Sequence, residues 1–144
     1  MGEQASSAPR RVLVGWDGSD GARDAVRRAG ALADGGQVVV VTVSAPRPYH
    51  AEPHDTPEPT VAEVAAAQEI EAREAAGCPI DYRVVPGDHE PEALCAYAKE
   101  HGFDLIIVGR HGAGGIRHAR LGHVPQGLSR MGGISLLIAE PPDG

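Results

Sequence analysis

Apolar and polar positions alternate along this chain between two periods. RVLVGW (11–16) is a short continuous apolar run, as a strand buried on both faces requires. In the segment that follows, Ala22, Ala25, Val26, Ala29 and Ala33 recur at helical spacing, until Gly35-Gly36 stops the pattern. VVVVTV (38–43) is a second, β-branched buried run. Residues 45–59 carry five prolines and no apolar period, which excludes regular structure and reads as a mobile lid. Thr60 and Glu63 form a capping box that opens an Ala/Glu-rich helix ending near Gly77. IDYRVV (80–85) places Ile80, Tyr82 and Val84 on one face and Asp81 and Arg83 on the other, the mark of a sheet edge. Pro91 suits the first turn of a third helix with Leu94, Tyr97, Ala98 and His101 on one face, ended by Gly102. DLIIVG (104–109) is another buried strand. Leu121, Val124, Leu128 and Met131 mark a fourth helix, broken at Gly132-Gly133, and ISLLIA (134–139) is the last strand.

Strands alternating with helices predict an α/β fold: a three-layer, open, five-stranded parallel sheet with helices on both faces. Right-handed crossovers leave few topologies. The third strand reads as an edge and the first, second and fourth as interior, so order 3-2-1-4-5 fits best. The chain then reverses direction between strands 1 and 4, and open α/β sheets bind ligands at that reversal, outside the carboxyl ends of the strands.

The chain's 144 residues predict one domain, residues 11–140, between a flexible arm (1–10) and a tail (141–144). A net charge of −7 argues against nucleic acid and anionic membrane as partners. No apolar stretch is long enough for a membrane span, and the N-terminus has no secretory core. Cys78 and Cys95 lack CxxC spacing and read as reduced fillers in a cytoplasmic protein. No metal site is expected: His111, His118 and His123 match no ligand spacing.

Against this acidic background VGRHGAGGIRHARLGH (108–123) stands apart, with five glycines, three arginines and three histidines. It follows the fourth strand, and WDGSDG follows the first, so the two loops should face each other across one crevice. Glycines free backbone N–H groups for a close ligand, and the next helix points its positive end at the same place. A phosphate-bearing anion fits. Asp17 has a plainer reading as a turn residue or cap, and Trp16 as core packing. No GxxxxGK[ST] or GxGxxG motif is present, which sets aside P-loop and dinucleotide enzymes.

The spacing Gly109-x2-Gly112-x9-Gly122, together with VLVGWDGSD and LGHVPQGL, resembles the universal stress protein family over nearly the whole chain. The resemblance implies a Rossmann-like fold of the adenine-nucleotide alpha-hydrolase type and an adenine nucleotide, ATP or AMP, in the crevice, with Mg only as part of the nucleotide. Carried over by position, Gly109, Gly112 and Gly122 line the phosphates and Asp17 lies near ribose and phosphates. Val43 pairs its backbone with adenine. Trp16 abuts the site, Arg110 and His111 belong to the loop, and Val124 and Pro125 begin the next helix. One position departs: the family's Ser or Thr after the third glycine is His123 here. A neutral imidazole offers one donor and one acceptor where a hydroxyl would contact phosphate. That leaves open a second reading, a nucleotide-free dimeric interaction module. The last strand is apolar for an edge, and a homodimer through Ile134, Leu136, Leu137 and Ile138 is expected, as the resemblance also implies. No catalytic residue stands out; slow ATP hydrolysis is the most that is expected of it. No protein partner is evident.

Overall fold

The computed structural model describes residues 10–44, 60–110 and 122–140. The N-terminal arm, the proline-rich segment, loop residues 111–121 with His111 and Gly112, and the tail lie outside the described residues. The elements run β1 (Arg11–Gly15), α1 (Asp20–Ala33), β2 (Gln37–Ser44), α2 (Val61–Ala76), β3 (Asp81–Pro86), α3 (Glu90–Glu100), β4 (Leu105–Gly109), α4 (His123–Met131) and β5 (Ser135–Ala139). All strand pairs are parallel and the order is β3-β2-β1-β4-β5, as the hydrophobic pattern requires.

Central β1 sets the register. Leu13 lies between Val39 and Ile106, and Val14 between Val40 and Ile107. Alternate residues feed two separate cores. Val12, Val14, Trp16, Val40 and Ile107 pack against α1 and α2 through Ala25, Val26, Ala29 and Ala72. Leu13, Val41, Ile106 and Val108 pack against α3 and α4 through Leu94, Ala98 and Leu128. Small residues on α1 let that helix lie close to the sheet, and at Gly109 backbone meets backbone. A Cβ there would stand 2.6 Å from the carbonyl carbon of Gly21, so only glycine fits.

The helix ends follow the local chemistry. Ser19 accepts from the Ala22 N–H at 3.1 Å, and Asp34 and Gly35 end α1 with φ of 47° and 84°. The Thr60–Glu63 capping box is formed in both directions. Ile80 and Tyr82 are buried with Ala72 and Ala76, but Val84 on the same face is 42% exposed. Leu94 and Ala98 are buried as expected, and Cys95 joins them. His101 is instead the exposed C-cap of α3, its ring centroid 4.2 Å from that of Tyr97. Met131 is exposed because α4 ends there, one turn past buried Leu128. Helix α4 begins only at His123, with Gly122 as its N-cap. Among the described residues, no helix is long and apolar enough to cross a membrane.

Candidate functional site

The carboxyl ends of β1 and β4 lie side by side, and their chain continuations diverge to opposite sides of the sheet. After β1, the Trp16 N–H still pairs with Val41 O at 2.8 Å, holding the loop down. The Trp16 ring turns toward α1 and α2. It is buried, its indole N–H donates to Gln68 Oε1 at 2.6 Å, and the Arg23 guanidinium lies 5.6 Å from its centroid. The ring therefore serves core packing, the plainer of its two readings. Asp17 is exposed and accepts from the Ser19 N–H at 2.9 Å, so it also forms the turn that leads to the Ser19 cap. Thr42 Oγ1 lies 3.4 Å from Trp16 O and 2.7 Å from the Tyr82 hydroxyl, tying this loop through β2 to the β3 edge. Burial raises the Tyr82 phenol above its ordinary value; the Thr42 hydrogen bond opposes this and the charge of Glu69 adds to it.

After β4, Gly109 rests on Gly21, which places the start of one loop against the first turn of α1. The Arg110 N–H donates to Ala139 O at 3.1 Å, and Arg110 O accepts from the Gly122 N–H at 2.8 Å. The two ends of the glycine-rich loop are thus joined at its base. The Arg110 guanidinium pairs with Glu140. Gly122 has no side chain to cap α4, so the first turn of that helix opens beside the loop base without a side-chain cap. His123 is exposed there, while Val124 is half-buried against the core and Pro125 is buried. Val43 is half-buried, next to Val85 in register.

The structure thus groups Asp17, Gly109, Arg110, Gly122 and His123 at one edge, with Val43 farther along β2. Sequence reasoning missed Glu90. It opens α3, whose first turn packs on α4: a Cβ at Gly127 would stand 2.5 Å from Pro91 Cγ. Crowding by protein raises the Glu90 carboxyl above its ordinary value, the charge of Asp17 raises it further, and His123 lowers it. An acid next to Pro91 in a first helical turn is the only local signal, and it is equally the signal of an ordinary helix start. Among the described residues, no three His, Cys, Asp or Glu side chains are grouped as a metal would need.

Residues 9–139 match the model of the universal stress protein family. The chain belongs to that family. It is 31% identical to universal stress protein Rv1636 of Mycobacterium tuberculosis, over 92% of this chain and 97% of the relative. Among solved structures it is similar to a universal stress protein in complex with cAMP, with TM-score 0.70 and 30% identity over 93% of this chain and 98% of that one. The universal stress protein UspA of Lactobacillus plantarum, 20% identical, shares the fold with TM-score 0.67 over 92% and 99% of the two chains. The shared fold carries the sheet order, with the carboxyl ends of β1 and β4 side by side at its centre.

Proposed function

We propose that this universal stress protein is a small regulatory domain that binds an adenine nucleotide, ATP or AMP, between the loops after β1 and β4. The observation that carries the reading is the uncapped first turn of α4 beside the closed base of the glycine-rich loop. Backbone N–H groups and the helix dipole there suit a phosphate. The similar structure that holds cAMP adds support at 30% identity. In this reading Gly109, Gly112, Gly122, Arg110, His111 and His123 surround the phosphates. Asp17 lies near the ribose, with Mg entering only with the nucleotide, and the backbone of Val43 meets the base. Trp16, Val124 and Pro125 hold the walls of the site in place. Ligand binding orders the surface that a partner then reads. The free Cys78 and Cys95 suit a reducing, cytoplasmic setting. A homodimer through β5 completes the proposal.

Titration calorimetry and thermal denaturation with ATP, AMP, cAMP and GTP test it. A ligand that binds the native state at 100 times its Kd raises stability by about 2.7 kcal/mol. Adenine nucleotides should do so and GTP less. Neither heat nor stabilisation with any adenine nucleotide at millimolar concentration would overturn the reading. It would favour instead the nucleotide-free dimeric module to which His123, in place of the family hydroxyl, points.

A further inference from the structure

Two contacts fix where Glu90 stands. Leu94 of α3 covers Gly15 of β1: a Cβ on Gly15 would lie 3.0 Å from Leu94 Cδ1. Helix α3 crosses between parallel strands β3 and β4, so it runs back along the sheet. One turn toward its N-terminus, roughly 6 Å, leads from Leu94 to Glu90. Two residues further along the chain from Gly15, roughly 6.6 Å in the same direction, lead to Asp17. The second contact is Pro91 on Gly127, and His123 lies one turn earlier on that same face of α4. Both relations bring Glu90 to the edge that holds Asp17 and His123.

We infer that Glu90 is a charge-selecting residue of the crevice, disfavouring ligands in proportion to the negative charge they bring to the α4 end. The inference rests on the nucleotide reading above and deepens it. Among the described residues, the carboxylates of Glu90 and Asp17 and the imidazole of His123 meet there, and the guanidinium of Arg110 pairs with Glu140. The raised Glu90 carboxyl agrees with this placement, since Asp17 contributes to the shift and His123 opposes it. The residue is exposed, so its charge acts through water and is screened by salt. For each ligand charge that comes within about 8 Å in water, Coulomb's law gives about a two-fold change in affinity.

The test is calorimetric titration of the full chain with ATP, AMP and adenosine in metal-free, low-salt buffer. Wild type, Glu90→Gln and Glu92→Gln are compared; Glu92 is an exposed acid of the same helical turn and controls for net charge. Glu90→Gln should tighten ATP about sixteen-fold and AMP about four-fold and leave adenosine unchanged, and the gradient should collapse in molar salt. Glu92→Gln should show a much shallower gradient. Equal changes for all three ligands, a weakened ATP complex, or matching behaviour of the two variants would overturn the inference while nucleotide binding stood. Failure of all three ligands to bind wild type and Glu90→Gln would remove the nucleotide reading and this inference with it.

Discussion

At the scale of single residues, the hydrogen-bond chain from Tyr82 through Thr42 to Trp16 O joins the β3 edge to the loop that carries Asp17. If Thr42 donates to the carbonyl, its oxygen accepts from the phenol, and all three groups are satisfied. Tyr82→Phe removes that donor and should cost about 0.5–1.5 kcal/mol near neutral pH. The pH dependence has a definite sign. Burial raises the phenol above its reference value of 10.0, so the folded state holds the proton where the unfolded chain has lost it. That contribution is complete below pH 10 and is lost as pH rises through the folded value. The advantage of wild type over Tyr82→Phe should therefore shrink above pH 10, and urea denaturation of both proteins at neutral and alkaline pH measures it. A constant gap would show that Tyr82 ionises no later in the folded state.

At the scale of elements, the fit of α1 onto β4 is set by Gly109 against Gly21. Gly109→Ala must push the helix end away, and overpacking of this kind costs about 1–3 kcal/mol. The displaced parts are the start of the loop after β4 and the end of the loop after β1, so nucleotide affinity should fall together with the denaturation midpoint. Full stability with unchanged affinity would show that the helix start yields at no cost. What was legible in the sequence follows from how elements are buried. β1, β2 and β4 are covered on both faces, so their continuous apolar runs were unambiguous, and the alternation at Ile80 and Tyr82 marked β3 as an edge. Val84, His101 and Met131 lie exposed although they share faces with buried residues, because periodicity says which face a residue shares but not how much of that face is covered. The glycine spacing could locate the loop after β4 and could not give its shape. Glu90 was invisible for a related reason: it reaches Asp17 only because α3 runs back over β1, and no spacing within the chain records that crossing. The direction of Trp16 was readable in principle, since it follows Val12 and Val14 in alternation and belongs to their core.

At the scale of the whole molecule, the sheet has two open edges, and they differ. β3 carries Asp81 and Arg83 with an exposed Val84. β5 presents Ser135 and three half-buried apolar residues, Leu136, Leu137 and Ile138, with Ile134 before them. An apolar edge with unpaired backbone groups favours pairing with a second copy, and edge-to-edge contact about a two-fold axis closes after two chains. The backbone fixes which residues would do the pairing. Ala139 O accepts from Arg110, so Ala139 directs its backbone groups inward toward β4, and by alternation Leu137 does too. Leu136 and Ile138 then direct N–H and C=O outward, to a partner strand. Ile138→Pro deletes one outward donor and leaves the β4 ladder intact, a position where an edge strand tolerates proline. The wild-type chain should sediment as a dimer at concentrations of about tens of micromolar, the range in which a weak dimer with micromolar Kd is populated. Ile138→Pro should sediment as a monomer with an unchanged far-ultraviolet circular dichroism spectrum. A monomeric wild type would exclude the β5 dimer. A variant that stayed dimeric and folded would move the interface off this edge and onto a helical face.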